Sequence, residues 1–568
     1  MRIRRYLTMA LALLLAALVG CADLPTSGPV EQVDVVLEQP SVDIAPEPPV
    51  EGMTPEQLVD GFLLAMADSE ADYAVARQYL TPEADDAWRP GSGAVIYDGE
   101  LADDALTLRL NGRLIGRLDA HGRYQPEIGT LSHDFSLQLV DGQWRISAPP
   151  AGLMLSRFVF ERYYSRVVTY FMSREGAHVV PDLVYQPESL VTPQRIVEMQ
   201  LLGPSPDIAP AVTNAIGDGV ELGDDGATIN GEGVVVVDLE GLAPDMTEEA
   251  RRRLGAQLSW SLTPISRVSG LRVMSNGAQF DLPGQREDGV LELSTQQGYQ
   301  VLNRALAPDL YAIVDGALGM VTAPREFETL YDEAGGVAEL AGSIDGTLAA
   351  LVNADRRTLL LGTPKGRFTR VEHEYHNLRR PQFVQGELWV LAEDPDGLPV
   401  VLVVNAQGDV SALPVDVPPG HRLQSLVVAQ TGVLAAAITT VDGSSQLGMM
   451  TVSGDDEPLV GQWRALVPVG PSGIPLTNIH EVDWQGETTL TFLASSGATR
   501  SVFLAQADGS AVEDLAPPLE ATGDLTALPA RGGGAVALHT REGAVWRYEA
   551  RTRWGRVFDA AEVIAYAG

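Results

Sequence analysis

The sequence predicts a multidomain chain: an α+β domain, then an α/β domain, then a large all-β region arranged as a propeller. Three observations carry that expectation. The chain has 568 residues, long enough for about three or four domains. Its apolar pattern changes along its length, from a four-residue helical spacing after Thr54 to mixed helix and strand signals, and finally to short β-rich runs alone. Those last runs repeat, each following a glycine turn, at intervals of roughly 40 to 55 residues, near the period of propeller blades.

Residues 1–20 read as an export signal. Met1-Arg2-Ile3-Arg4-Arg5 is basic, and the stretch from Tyr6 to Gly20 carries no charge. That apolar run is short for a bilayer-spanning helix. Leu18-Val19-Gly20-Cys21 resembles a bacterial lipobox, in which a lipoprotein signal peptidase cuts between Gly20 and Cys21. The resemblance implies an N-palmitoyl, S-diacylglycerol cysteine at Cys21 and a place at the cell membrane, lipid-anchored on its extracytoplasmic face. A secreted chain with a stray cysteine and an uncleaved signal anchor are the competing readings. Cys21 is the one cysteine in the chain, so no thiol remains to pair with it. Residues 21–53 would be the lipidated cysteine and a tether, extended by Pro40, Pro46, Pro48 and Pro49.

Residues 54–154 form the α+β domain. Thr54-Pro55-Glu56-Gln57 is a capping box with proline at the first helical position, and Leu58, Phe62 and Met66 make one apolar face. Tyr73, Ala76 and Leu80 mark a second helical stretch. Strands are expected at 94–97, 106–110, 132–140 and 143–147, the last two joined by the Asp141-Gly142 turn. Helices before an antiparallel sheet are similar to the nuclear-transport-factor-2-like (NTF2-like) fold, which hosts enzymes and binding modules alike.

Residues 155–290 form the α/β domain. Thr192-Pro193 opens a helix that Gly203-Pro204 stops. Gly217-Asp218-Gly219 and Asp224-Asp225-Gly226 read as turns. Val234 to Leu239 is a buried strand on its β-branched run. Thr247 caps a helix with Glu248 and Glu249 in its first turn, where they suit the helix dipole, and Leu254, Leu258 and Leu262 form its stripe. A strand over 268–273 ends at the Asn276-Gly277 turn. Leu201-Leu202-Gly203-Pro204, the valine strand, Gln257-Leu258 and the segment from Val273 to Gly277 follow the order of a GerMN domain, named for spore-germination proteins.

Residues 300–568 form the propeller. Paired strands are expected at 348–352 and 358–361, 388–391 and 400–404, 433–438 and 447–452, 488–493 and 501–504, and 535–539 and 545–548. Segments 311–314 and 318–322 either add a sixth repeat or close the ring. Sandwich domains in series are the alternative.

Lipobox, proline-rich tether, GerMN-like middle and C-terminal propeller, in that order, resemble the LpqB lipoprotein family of actinobacteria across nearly the whole chain. The resemblance implies contact with the extracytoplasmic region of the sensor histidine kinase MtrB of the MtrA–MtrB two-component system. It therefore implies an accessory role in envelope signalling and cell-wall homeostasis.

The residues themselves offer little reaction chemistry. The formal charge is −37, which opposes nucleic acid and anionic headgroups. No Gly-x-Ser-x-Gly elbow or phosphate loop occurs. Glu372-His373-Glu374-Tyr375-His376 has its histidines three apart, unlike a zincin helix, and reads as a loop or strand end. Asp394-Pro395-Asp396-Gly397 lacks the distal acid of a calcium loop and reads as a hairpin turn. No catalytic residue, metal or cofactor is expected. Trp389, Trp484 and Trp546 read as packing residues, and Trp463 and Trp554 as candidate contact residues. The leading function is a contact-acting lipoprotein. A module for cell-wall glycan or glycolipid is the alternative, and a wall-active hydrolase using paired carboxylates a third.

Overall fold

A computed structural model describes residues 46–568 apart from 105–106, 303–309, 454–458, 518–522, 532 and 551–552. Gly20, Cys21 and residues 21–45 of the tether lie outside the described residues. Helix α1 (Pro55–Ala65) opens on the expected capping box: Thr54 Oγ1 accepts from the Gln57 N–H at 3.2 Å, and Gln57 Oε1 accepts from the Thr54 N–H at 3.0 Å. Its face of Leu58, Val59, Phe62 and Met66 is buried, with the Phe62 ring 5.5 Å from Trp88 and 6.3 Å from Phe135. The second helical stretch is one turn, α2 (Ala74–Arg77). It stops short of Leu80, and α3 (Pro82–Ala87) restarts on a Thr81-Pro82 signal of the same kind as Thr54-Pro55.

The sheet of this domain comprises β1 (Ala94–Asp104), β2 (Thr107–Leu118) and β3 (Tyr124–Asp134), with the hairpin β4 (Leu137–Val140) and β5 (Gln143–Ile146) beside it and β6 (Leu153–Ser156) completing it. The order is β3-β2-β1-β6, antiparallel except for β1 with β6. The expected single strand over 132–140 is two strands, broken at Ser136 by a left-handed φ of 39°. Strand β3 carries Pro126 and Gly129, which argue against a strand in sequence. It survives because it lies at the sheet edge, where an absent N–H costs no ladder bond.

A short helix α4 (Arg157–Tyr163), capped by Ser156, leads into the second domain. Strands β7 (Tyr164–Ser173), β8 (Val179–Pro187) and later β9 (Val212–Thr213) form one sheet, with α5 (Pro193–Leu201) between them in sequence. Strands β10 (Glu221–Ile229) and β11 (Val234–Glu240), helix α6 (Glu248–Ser261), β12 (Gly270–Ser275), β13 (Ala278–Phe280) and β14 (Leu291–Glu292) follow. Strands β11 and β12 are parallel, so α6 is the crossover between them. Asp224-Asp225-Gly226 is not a turn. It lies inside β10, where pairing to β11 jumps from Leu222 to Ala227 and Gly226 takes a φ of +62°. The excess residues loop out of the ladder without reversing the chain. Gln257 is fully buried and holds a polar knot: its Nε2 donates to Gln200 Oε1 at 2.6 Å and to Asn214 Oδ1 at 2.7 Å, and its Oε1 accepts from the Ala215 N–H at 2.8 Å.

The C-terminal region is six four-stranded sheets, so blades in a ring replace the sandwich alternative. The strand pairs expected from sequence are the second and third strands of blades 2 to 6. The innermost strands, Val337–Gly342, His376–Val384, Arg422–Val428, Thr477–Trp484 and Asp524–Ala527, each touch the next around the ring. Blade 1 settles the open count. Its outer strands are Leu310–Val314, Ala317–Ala323 and Glu326–Tyr331, and its innermost is Val563–Ala565 from the far end of the chain. The sixth blade and the ring closure are therefore one feature. The apolar cores lie between neighbouring blades: Ala350 and Val352 pack with Val390 and Leu402, and Ile438 and Met449 with Phe492 and Phe503.

Candidate functional site

The sequence-singled residues disperse. Trp554 is buried in blade 6, its Nε1 donating to the Leu515 carbonyl at 2.8 Å and its ring 5.5 Å from Tyr548. Packing accounts for it, and a buried ring offers no contact surface. Trp463 is half-buried over Gly448, where an added Cβ would run into its ring, and lies edge-on to His421 at 5.7 Å. His376 Nδ1 bonds the Glu393 carbonyl at 2.9 Å, and Asp394 Oδ1 accepts from the N–H groups of Asp396 and Leu398 at 2.9 and 2.8 Å, making the hairpin turn. Among the described residues no group of three or more histidine, cysteine or acidic side chains is arranged to hold a metal.

What the structure brings together instead is the junction of the three domains. The second domain locks onto the propeller through several unlike contacts. Tyr170 donates to Glu487 Oε2 at 3.0 Å, Arg531 lies 4.4 Å over the Trp260 ring, and Arg464 Nε meets Asp207 Oδ2 at 2.8 Å. Phe171, Val180, Ile208 and Val212 share a core with Val433. Burial pushes the Glu487 carboxyl up, against the Tyr170 hydrogen bond and the Arg531 charge. The first domain joins the second through Arg123 Nη2, which donates to the Gly203 carbonyl at 2.7 Å, and through the Tyr185 N–H, which donates to the Gly122 carbonyl at 2.7 Å.

Asp182, buried on β8, accepts from the Ser205 N–H at 2.8 Å and is pushed up to about 6 by burial. A carboxyl raised from 3.8 binds its proton more tightly folded than unfolded, so it weakens the fold as pH rises through that window. Between about pH 4 and pH 6 this one group is expected to cost about 3 kcal/mol of stability. Asp182→Asn keeps an acceptor for Ser205 and should lose that slope. Denaturant midpoints of both proteins across pH 4 to 7 check it, the difference between them growing with pH.

At the meeting point of all three domains lies a cavity of about 680 Å³, within the range of small-ligand sites. Its first-domain wall is Ile96, Ile115 and Tyr124, and α4 adds Arg157, Phe160 and Glu161. Tyr164 and Tyr185 come from β7 and β8, and Leu504, Gln506 and Ser510 from blade 5. Tyr124, Phe160 and Tyr185 pack as a trio, with ring centroids 5.0 to 6.3 Å apart. Their hydroxyls are already engaged: Tyr124 donates to the Ile115 carbonyl at 3.1 Å, and Tyr185 bonds Ser510 Oγ. Tyr164 bonds Tyr73. Burial raises all three tyrosine phenols, so they stay neutral and present the cavity with rings. The wall amides are engaged too. Gln485 Nε2 donates to the Gly534 carbonyl at 2.8 Å, and Gln506 Oε1 accepts from Thr488 Oγ1 at 3.2 Å.

Sequence reading did not single out this cavity, because its wall is assembled from segments as far apart as Ile96 and Glu513. One signal was available. Arg157-Phe158-Val159-Phe160-Glu161-Arg162-Tyr163-Tyr164 holds four aromatic residues among eight in a chain that is 6% aromatic.

Family models match three successive segments: the N-terminal domain of lipoprotein LpqB over residues 48–161, a sporulation and spore-germination domain over 168–281, and the LpqB β-propeller domain over 328–563. Lipoprotein LpqB of Nocardia farcinica is 30% identical over 573 residues, covering 92% of this chain and 91% of that protein. The chain belongs to the LpqB lipoprotein family. LpqB of Cutibacterium acnes is 29% identical and covers 99% of this chain and 98% of its own. Among solved structures, TolB from Acinetobacter baumannii covers 54% of this chain and 85% of its own at 12% identity and a TM-score of 0.36, too slight a likeness to bear on function. In this LpqB-family chain the cavity draws wall residues from all three matched segments: Tyr124 and Phe160 from the first, Tyr185 from the second and Leu504 from the third. No helix among the described residues is long and apolar enough to cross a membrane.

Proposed function

We propose that this protein is an extracytoplasmic lipoprotein, held at the cell membrane by lipid on Cys21 after cleavage behind Gly20, that works through protein contact. Its partner in this reading is the extracytoplasmic region of the sensor kinase MtrB, and its role is to modulate envelope signalling and cell-wall homeostasis. Membership of the LpqB family supports the reading. So does the observation that carries most weight: three folded domains locked into one body by buried contacts, as at Tyr170–Glu487 and Arg531–Trp260. Domains held together by such contacts present one joined surface, and a pre-organised surface lowers the ordering cost of binding. Anchoring raises its local concentration beside a membrane-bound partner.

The first domain is read as NTF2-like, on its helices preceding a largely antiparallel sheet. Residues 21–53 serve as the tether, and domains span 54–154, 155–290 and 300–568. Surface plasmon resonance tests the contact, with the lipidated chain in neutral phosphatidylcholine nanodiscs passed over the kinase's extracytoplasmic region. Saturable binding is expected. No binding, together with unchanged kinase output in a deletion strain, overturns the reading. The aromatic cavity favours a second reading, a module for cell-wall glycan or glycolipid. Retention of wall fragments by the immobilised chain, with no kinase binding, would put it first.

A further inference from the structure

We infer that the three-domain cavity is a binding site for an anionic amphiphile, a molecule with one carboxylate or phosphate group on an apolar body, and that Arg157 reads the anion. The inference does not depend on the kinase contact and adds a ligand to whatever partner the protein has.

Two features set the ligand class. The first is the wall, where Ile96, Ile115, Tyr124, Phe160, Tyr185 and Leu504 form an apolar and aromatic lining. The tyrosine hydroxyls are turned to partners inside the protein, so this wall gains by covering hydrocarbon or ring faces rather than by hydrogen bonding.

The second feature is a single unmet polar group. Arg157 stands at the N-terminal end of α4, at the cavity wall. Its Nη1 reaches the Gly470 carbonyl at 3.5 Å, a long contact, and its Nη2 is enclosed with no hydrogen-bond partner. Among the described residues it is the one enclosed side-chain nitrogen or oxygen of the lining left without one. Arg157 as a whole is half-buried, and a partly desolvated guanidinium nitrogen without an acceptor gains from an anionic one; a carboxylate or phosphate oxygen matches the guanidinium edge in charge and geometry. The other charged lining groups, Arg166, Glu161 and Glu513, are exposed at the rim, where water screens them. With a chain charge of −37, the protein's overall field repels anions. Selection must therefore come from this local guanidinium, and affinity should depend little on long-range steering.

The test uses the lipidated full chain in phosphatidylcholine nanodiscs, with empty nanodiscs as reference, titrated calorimetrically with four octyl probes. Octyl phosphate and octanoate are expected to bind at least tenfold more tightly than octyl glucoside and octyltrimethylammonium. Tighter binding of octyl phosphate than octanoate points to a phosphate-bearing lipid as the natural source, and the reverse order to a free fatty acid. Arg157→Gln should weaken the anionic probes about tenfold or more and leave octyl glucoside unchanged, with Arg157→Lys recovering part of the loss. Ala511→Trp places an indole at an exposed lining position away from the core and should block all four probes, whether or not the Arg157 variants fold. Equal affinity for octyl glucoside and octyl phosphate, an Arg157→Gln variant that keeps anion affinity, or undiminished binding by Ala511→Trp overturns the inference. Kinase contact, read separately by resonance, stays intact if only the cavity assignment is wrong.

Discussion

Replacing Cys21 with alanine is expected to abolish lipid attachment and prevent formation of the lipid-anchored mature form. The thioether can form only on a thiol, and this chain has one cysteine. The lipobox cut is made ahead of a lipidated cysteine, so the variant should also retain its leader. The effect is close to all-or-none. Each buried methylene of an anchor contributes about 0.8 kcal/mol, and two or more chains convert marginal attachment into stable attachment. No helix among the described residues is long and apolar enough to cross a bilayer. Metabolic labelling with an alkyne fatty acid, followed by fractionation and mass measurement of the N-terminus, checks the outcome. A labelled, membrane-retained Cys21→Ala protein with its leader removed would refute the assignment.

Deleting residues 560–568 should have the largest effect on stability. These residues supply Val563–Ala565, the innermost strand of a blade whose other three strands lie some 240 residues earlier. Ile564, Ala565 and Tyr566 are buried in two inter-blade cores. The chain end is itself built in: the Gly568 carbonyl accepts from the Phe383 N–H at 3.1 Å, and the Tyr566 N–H donates to Thr526 Oγ1 at 3.0 Å. Loss of these side chains at roughly 2 to 3 kcal/mol for each large one, with the strand bonds beside them, removes about 5 kcal/mol or more. It also bares the edge of Leu310–Val314. At roughly 2 to 4 °C per kcal/mol for a domain of this size, the melting temperature should fall by about 10 to 20 °C. Thermal unfolding by circular dichroism and limited proteolysis check this, with cleavage expected in blade 1 first. A melting curve that matches the full chain would mean that blade 1 holds the ring closed without its innermost strand.

The fold was legible wherever a local signal decided local structure. Thr54-Pro55 and Thr247 started helices, and Asp141-Gly142 and Asn276-Gly277 turned hairpins with left-handed φ values at both positions. The second and third strands of each blade declared themselves through runs such as Leu388 to Leu391, buried on both faces. The innermost strands did not. In His376–Val384, Asn377 and Arg380 take φ values of 53° and 52°, and pairing skips from His376 to Arg379 to Gln382. Arg380 there meets Glu481 of another innermost strand at 2.7 Å. Charged residues and bulges face the ring axis, so neither alternation nor an apolar run survives for periodicity to detect.

Legible in the sequence alone were the helix starts, the hairpin turns, the buried strands and the family, because a cap, a turn and a β-branched run are each read over a few adjacent residues. Only the tertiary structure decided the six-blade count, the packing role of Trp554 and the cavity with Arg157 in its wall. Each depends on residues hundreds of positions apart meeting in space: Val563–Ala565 on Leu310–Val314, the Trp554 Nε1 on Leu515, and Phe160 and Tyr185 facing Leu504. A long-range meeting of that kind is fixed by the complementarity of whole domain faces. No short stretch of chain carries it.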